Sequence, residues 1–88
     1  MDKSIYTPAQ RALQETLRQI RLGAGLRQED LAARLAKPQS FVSKYESGER
    51  RLDLVELHQI CATTGVSLLE LVRRYEEQLA KCSPTLTS

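Results

Sequence analysis

No apolar run in this sequence is long enough for a signal peptide or a membrane span, so the expected setting is the cytoplasm. Cysteine is scarce. Cys61 and Cys82 do not make a disulfide framework: Cys61 falls in an apolar pattern as a small core residue, and Cys82 in a polar tail. Glycine (four) and proline (three) are too few for a loop-dominated chain, which favours long regular elements. With tryptophan missing and aromatics at 5%, a segment that holds both Phe41 and Tyr45 stands out. A large charge of one sign is lacking too, since the formal net charge is +2 and by itself identifies no partner.

What is present describes one small soluble domain. The 88 residues are 41% hydrophobic and 27% charged, an ordinary globular balance. A domain of this size buries about 60–65% of its unfolded surface, so its stability is modest unless it is very regular or dimerises. The charges are unevenly placed. Residues 34–51 hold Arg34, Lys37, Lys44, Arg50 and Arg51 against Glu46 and Glu49, whereas residues 52–88 are acidic overall. The basic part of the molecule is therefore its middle.

The pattern predicts five helices and no convincing strand. Thr7-Pro8-Ala9-Gln10 offers a capping threonine with proline at the first helical position, and Ala9, Leu13, Leu17 and Ile20 share one arc up to Gly23 and Gly25. Helix two spans roughly 28–35, with Leu31, Ala32 and Leu35 inward and Arg27 as a poor cap. Helix three covers about 38–47, with Gly48 as a left-handed stop. Asp53-Leu54-Val55-Glu56 opens helix four in capping-box fashion, with Leu54, Leu57, Ile60 and Cys61 expected inside and Gly65 closing the segment. Ser67 to Glu70 opens helix five, with Val66 and Leu71 as a hydrophobic staple and the helix continuing to about Ala80. Residues 1–6 and 83–88 are expected to be a disordered arm and a disordered tail around a domain at 7–82.

Helix three carries the most chemistry. On a helical wheel Gln39, Ser40, Ser43, Lys44 and Ser47 gather on one side, and Phe41, Val42 and Tyr45 on the other. The polar side holds no acidic residue at its centre. Gln suits adenine N6 and N7, Ser suits several base edges, and Lys suits guanine O6 and N7 or a phosphate. Arg50 and Arg51 follow Gly48, where a loop can run along a phosphate backbone, and the first amides of helix two lie beside Gln28. A plain solvated face has the same composition, so the wheel alone leaves both readings open.

The stretch from Arg27 to Leu71 settles that choice by resemblance. Gln28-Glu29-Asp30-Leu31-Ala32, then Val42-Ser43-Lys44-Tyr45-Glu46-Ser47-Gly48, then Gly65-Val66-Ser67, in this order and spacing, resemble the helix-turn-helix domains of the XRE family, the phage-repressor and Cro-like DNA-binding proteins. The resemblance covers about residues 9–72. It implies an all-α, compact five-helix domain, with helices two and three as the helix-turn-helix and helix three in the major groove of double-stranded DNA. It implies base contacts by Gln39, Ser40, Ser43 and Lys44, and phosphate contacts by Gln28, Lys37, Arg50 and Arg51. Glu46 corresponds to a residue that ties helix three to its neighbours. The chain departs from the family pattern at Ala36, where glycine is usual, at Pro38, where serine or threonine is usual, and at Arg27, which replaces a capping side chain. An alanine held left-handed at 36 costs roughly 1 kcal/mol or somewhat more, unless the turn takes another path.

The remaining features point to no second chemistry. His58 is the single histidine, with no second ligand at metal spacing; no serine has a histidine and an acid at recognisable spacing; the glycines form no phosphate loop. No enzyme activity, metal, cofactor or small-molecule ligand is expected. The stripe of helix five runs on to Tyr75 and Leu79, past what a minimal core needs. It either packs on helix one or forms a homodimer interface from Leu68, Leu69, Val72, Tyr75 and Leu79, and the second is the expectation. An antitoxin or a restriction-modification controller would use the same module, and a protein-protein interaction module would present the same basic face.

Overall fold

The computed structural model describes residues 7–82, so the expected arm and tail lie outside the described residues. Five helices follow in order: α1 Pro8–Gly23, α2 Gln28–Arg34, α3 Gln39–Ser47, α4 Leu54–Thr64 and α5 Leu68–Cys82. Their starts follow the capping rules read from the sequence. The Thr7 hydroxyl accepts from the Gln10 amide at 3.1 Å, ahead of Pro8. Asp53 and Glu56 exchange reciprocal bonds at 2.8 and 3.0 Å, and the Glu70 amide donates to Ser67 at 3.0 Å. Glu70 does not complete a box: its carboxylate goes to Arg73 and Arg74 instead. Arg27, a poor cap by its own chemistry, is helped by Asp30, which accepts its backbone amide at 2.9 Å and its guanidinium. Pro38 is the cap of α3 rather than its first helical residue, with an extended ψ of 155°.

The first four helices stop in one way. A residue in the left-handed region follows the helix, and the amide after it donates back across the last turn: Leu26 to Arg21, Lys37 to Ala32, Glu49 to Lys44 and Val66 to Cys61. Glycine fills that position three times, at Gly25, Gly48 and Gly65, and Ala36 fills it once with φ 58°. The turn between α2 and α3 thus keeps the path that glycine would take, with a methyl group on it, at a cost of roughly 1–2 kcal/mol.

The core joins all five helices: Leu17 and Ile20 from α1, Leu31 and Ala32 from α2, Phe41, Val42 and Tyr45 from α3, Ile60 and Cys61 from α4, and Leu71 from α5, with Leu26 from the first loop. Leu13, Leu35, Leu52, Leu57, Val66 and Leu68 pack around it. Leu54, expected inside, is 65% exposed. It lies on the right arc, but it is the first residue of α4 and projects where nothing packs over it. The most extensive helix pairing is α5 along α1, followed by α2 against α3. Helix five therefore packs on helix one, which covers part of its stripe and leaves Leu69 and Val72 open. These pairings hold the back of α3 in the core and leave its front open.

Candidate nucleic-acid interface

The two sides of α3 separate as the wheel predicts. Phe41, Val42 and Tyr45 are buried, and Phe41 and Tyr45 meet edge to face with centroids 5.5 Å apart. The Tyr45 hydroxyl is buried with no hydrogen-bond partner among the described residues, and burial pushes its pKa up, so the ring serves as an apolar wedge. On the other side Gln39, Ser40 and Lys44 are exposed and Ser43 is half-buried. The Ser43 hydroxyl donates to the Ser40 carbonyl at 3.3 Å, and the Ser47 hydroxyl to the Lys44 carbonyl at 3.1 Å. The side chains of Gln39, Ser40 and Lys44 have no hydrogen-bond or ion-pair partner among the described residues. Their donors and acceptors face solvent on a helix whose back is fixed.

A buried ionic knot does the fixing. Arg21 of α1 donates from Nε and Nη2 to the two carboxylate oxygens of Glu46 at 2.8 and 3.0 Å, and from Nη1 to the Leu26 carbonyl at 2.9 Å. The side chains are 9% and 5% exposed. Gln28 at the head of α2 donates its amide to the same carboxylate at 3.1 Å. One carboxylate on α3 thus binds α1 and α2 together, and Arg21 stays charged because the carboxylate holds its proton. Glu46 was legible as a tie; Arg21, which sequence reasoning passed over, was not. Its signal was an arginine one turn after Leu17, at the margin of the apolar arc of α1. Gln28, expected at a phosphate, braces α3 here and keeps a second amide hydrogen for another acceptor.

The cations around α3 are in unlike situations. Lys37 holds its ammonium over the Phe41 ring, 5.4 Å from the centroid. Arg50 covers that ring at 4.8 Å and pairs with Glu56. Arg51 is exposed and has no ion pair among the described residues. Of the five side chains expected at a second copy, Leu69 (83%) and Val72 (42%) are open to solvent. Leu68, Tyr75 and Leu79 are half-buried, Leu68 against the core. Val72 and Tyr75 border a groove with Leu13, Leu57 and Leu71. Among the described residues no group of acidic, His and Cys side chains is placed to hold a metal, and no helix is long and apolar enough to cross a membrane.

Known proteins share this arrangement. The Helix-turn-helix family matches residues 17–71, from the second half of α1 to the first turn of α5. A solved structure, an XRE-family like protein from Pseudomonas syringae pv. tomato str. DC3000, is similar at 43% sequence identity with a TM-score of 0.75, over 85% of this chain and 92% of that one. No curated protein matches the sequence significantly.

Proposed function

This chain belongs to the XRE family of helix-turn-helix DNA-binding proteins, and from that premise we propose that it is a sequence-specific transcriptional regulator that binds a palindromic operator as a homodimer. The observation that carries the reading is the front of α3. Gln39, Ser40 and Lys44 are exposed and unpartnered among the described residues, while the opposite side is locked into the core. Inserted in the major groove, Gln39 has the geometry to pair with adenine, Lys44 to reach guanine, and Ser40 and Ser43 to complete the contact. Gln28, with its free amide hydrogen, Lys37 and Arg51 supply phosphate contacts that fix register. A two-fold partner seated on Leu69 and Val72, with Leu68, Tyr75 and Leu79 at the margin, presents a second α3 to the next groove turn, about 34 Å away. The work takes place on DNA in the cytoplasm.

Selection of bound sequences from a random duplex pool tests this reading. The expected product is an inverted repeat with half-sites about one helical turn apart. Enrichment of a single unrepeated site breaks the dimer; no enrichment breaks the whole reading. Gln39→Ala and Lys44→Ala each weaken the selected site by about 1–3 kcal/mol and relax base preference there. Unchanged affinity of Gln39→Ala for both selected and random duplex removes the assigned face.

A further inference from the structure

Arg50 and Arg51 are neighbours in the loop from Gly48 to Asp53, and their side chains are engaged very differently. Arg50 donates from Nη1 and Nη2 to the two carboxylate oxygens of Glu56 at 3.2 and 2.8 Å, and from Nη1 to the Arg51 carbonyl at 2.9 Å. Its flat face lies on Phe41, 4.8 Å from the ring centroid. Arg51 is exposed and without an ion pair among the described residues. We infer that Glu56 is a positioning residue of the DNA-binding face: it withholds the Arg50 charge from phosphate and sets the loop so that Arg51 is the arginine that meets the backbone. The inference rests on the duplex-binding reading above.

The chemistry follows from how a guanidinium recognises anions. A phosphate and a carboxylate compete for the paired N–H edges of a guanidinium, and in Arg50 Glu56 already occupies the Nη1–Nη2 edge. Moving Arg50 to phosphate would break both carboxylate bonds, the bond to the Arg51 carbonyl and the ring contact. It would also leave the Glu56 carboxylate unpaired beside an incoming polyanion. Glu56 itself cannot swing away freely, because the oxygen that faces Nη1 also accepts the Asp53 amide at the start of α4. The arrangement ties the loop at three points: the head of α4, the peptide between Arg51 and Leu52, and the aromatic back of α3. Lys37 reaches the same ring from the other end of α3.

Affinity for a duplex across a salt series separates the two arginines, because each phosphate neutralised adds about 0.9 to the slope of log affinity against log salt. Arg51→Ala should make the slope shallower by about 0.9 per protomer. Arg50→Met, which keeps an apolar stem over Phe41, should leave the slope unchanged. Glu56→Gln keeps a residue that caps α4 but drops the charge. It should free Arg50 and steepen the slope by about 0.9 per protomer, or about 3.5-fold in affinity across a four-fold change in salt. A purely structural role for the pair moves affinity without moving the slope. A shallower slope for Arg50→Met, an unchanged one for Glu56→Gln, or an unchanged one for Arg51→Ala overturns the inference. If Arg50→Met does not fold, the Glu56→Gln result decides. Failure of the wild-type chain to bind any duplex at low salt is a different outcome: it removes the reading on which the inference stands, and the inference with it.

Discussion

Arg21–Glu46 and Arg50–Glu56 are both two-pronged pairs that join α3 or its loop to a neighbouring helix, and their surroundings differ sharply. The first has side chains 9% and 5% exposed, the second 40% and 20%. Burial decides what each pair can be worth. Inside, removing one partner strands a charge in a poor solvent, so the pair is costly to break however little it adds when intact. Outside, water and salt take over most of what a lost partner provided. A third group, Glu70 with Arg73 and Arg74 on the solvent side of α5, extends the series to the open surface. The same two residue types thus act as a keystone, a loop tether and a surface charge pattern, according to depth.

Substitutions at three carboxylates grade that series. Glu46→Ala should have the largest effect, a loss of about 3–5 kcal/mol in denaturant unfolding, because Arg21 and Gln28 both lose their acceptor. A loss below about 1 kcal/mol would mean that Arg21 escapes to water, and the contrast with the outer pair would disappear. Glu56→Ala should come next, at about 1–2 kcal/mol, most of it from the helix cap and little from the ion pair. Glu56→Gln should recover most of that loss. Glu70→Gln should have the smallest effect, and its sign is readable from pH. The Arg73 and Arg74 guanidiniums hold the Glu70 carboxyl down at about 2, below its ordinary range. A depressed carboxyl contributes stability above its unfolded pKa of about 4.3 and loses it as acid is added. The gap in melting temperature between wild type and Glu70→Gln should therefore be greatest near neutral pH and close as pH falls toward 2. A gap that widens in acid would reverse the assignment.

The helix ends and the exposed polar side of α3 were legible because their signals are local. Thr7-Pro8, Asp53 with Glu56, Gly48 and Gly65 each act within one turn, and the Gln39–Lys44 side of α3 needs only a period of 3.6 residues to be seen. The Arg21–Glu46 tie was half legible. The resemblance marked Glu46, but its partner stands 25 residues away and no spacing rule links them. Arg50 and Arg51 were indistinguishable on paper, since what separates them is a carboxylate on the next helix and a ring on the previous one. Helix five shows the limit of periodicity. An apolar stripe says that a face is covered without saying by what, and much of this one is covered by α1. Ala36 was readable as a departure, and the path of its turn was not: only the fold tells whether a missing glycine is avoided or tolerated, and here it is tolerated at φ 58°.

Gly48 fixes more than the end of a helix. A methyl group placed there would run into the end of the Gln14 side chain, and the backbone already sits at φ 90°. The torsion is what demands glycine there, since the end of the flexible Gln14 side chain can yield to a methyl group. The bare Cα lets α1 stand directly behind the tail of α3 as an anvil. On the DNA-binding reading proposed above, a push on the front of that helix would be met from behind by the first helix of the fold.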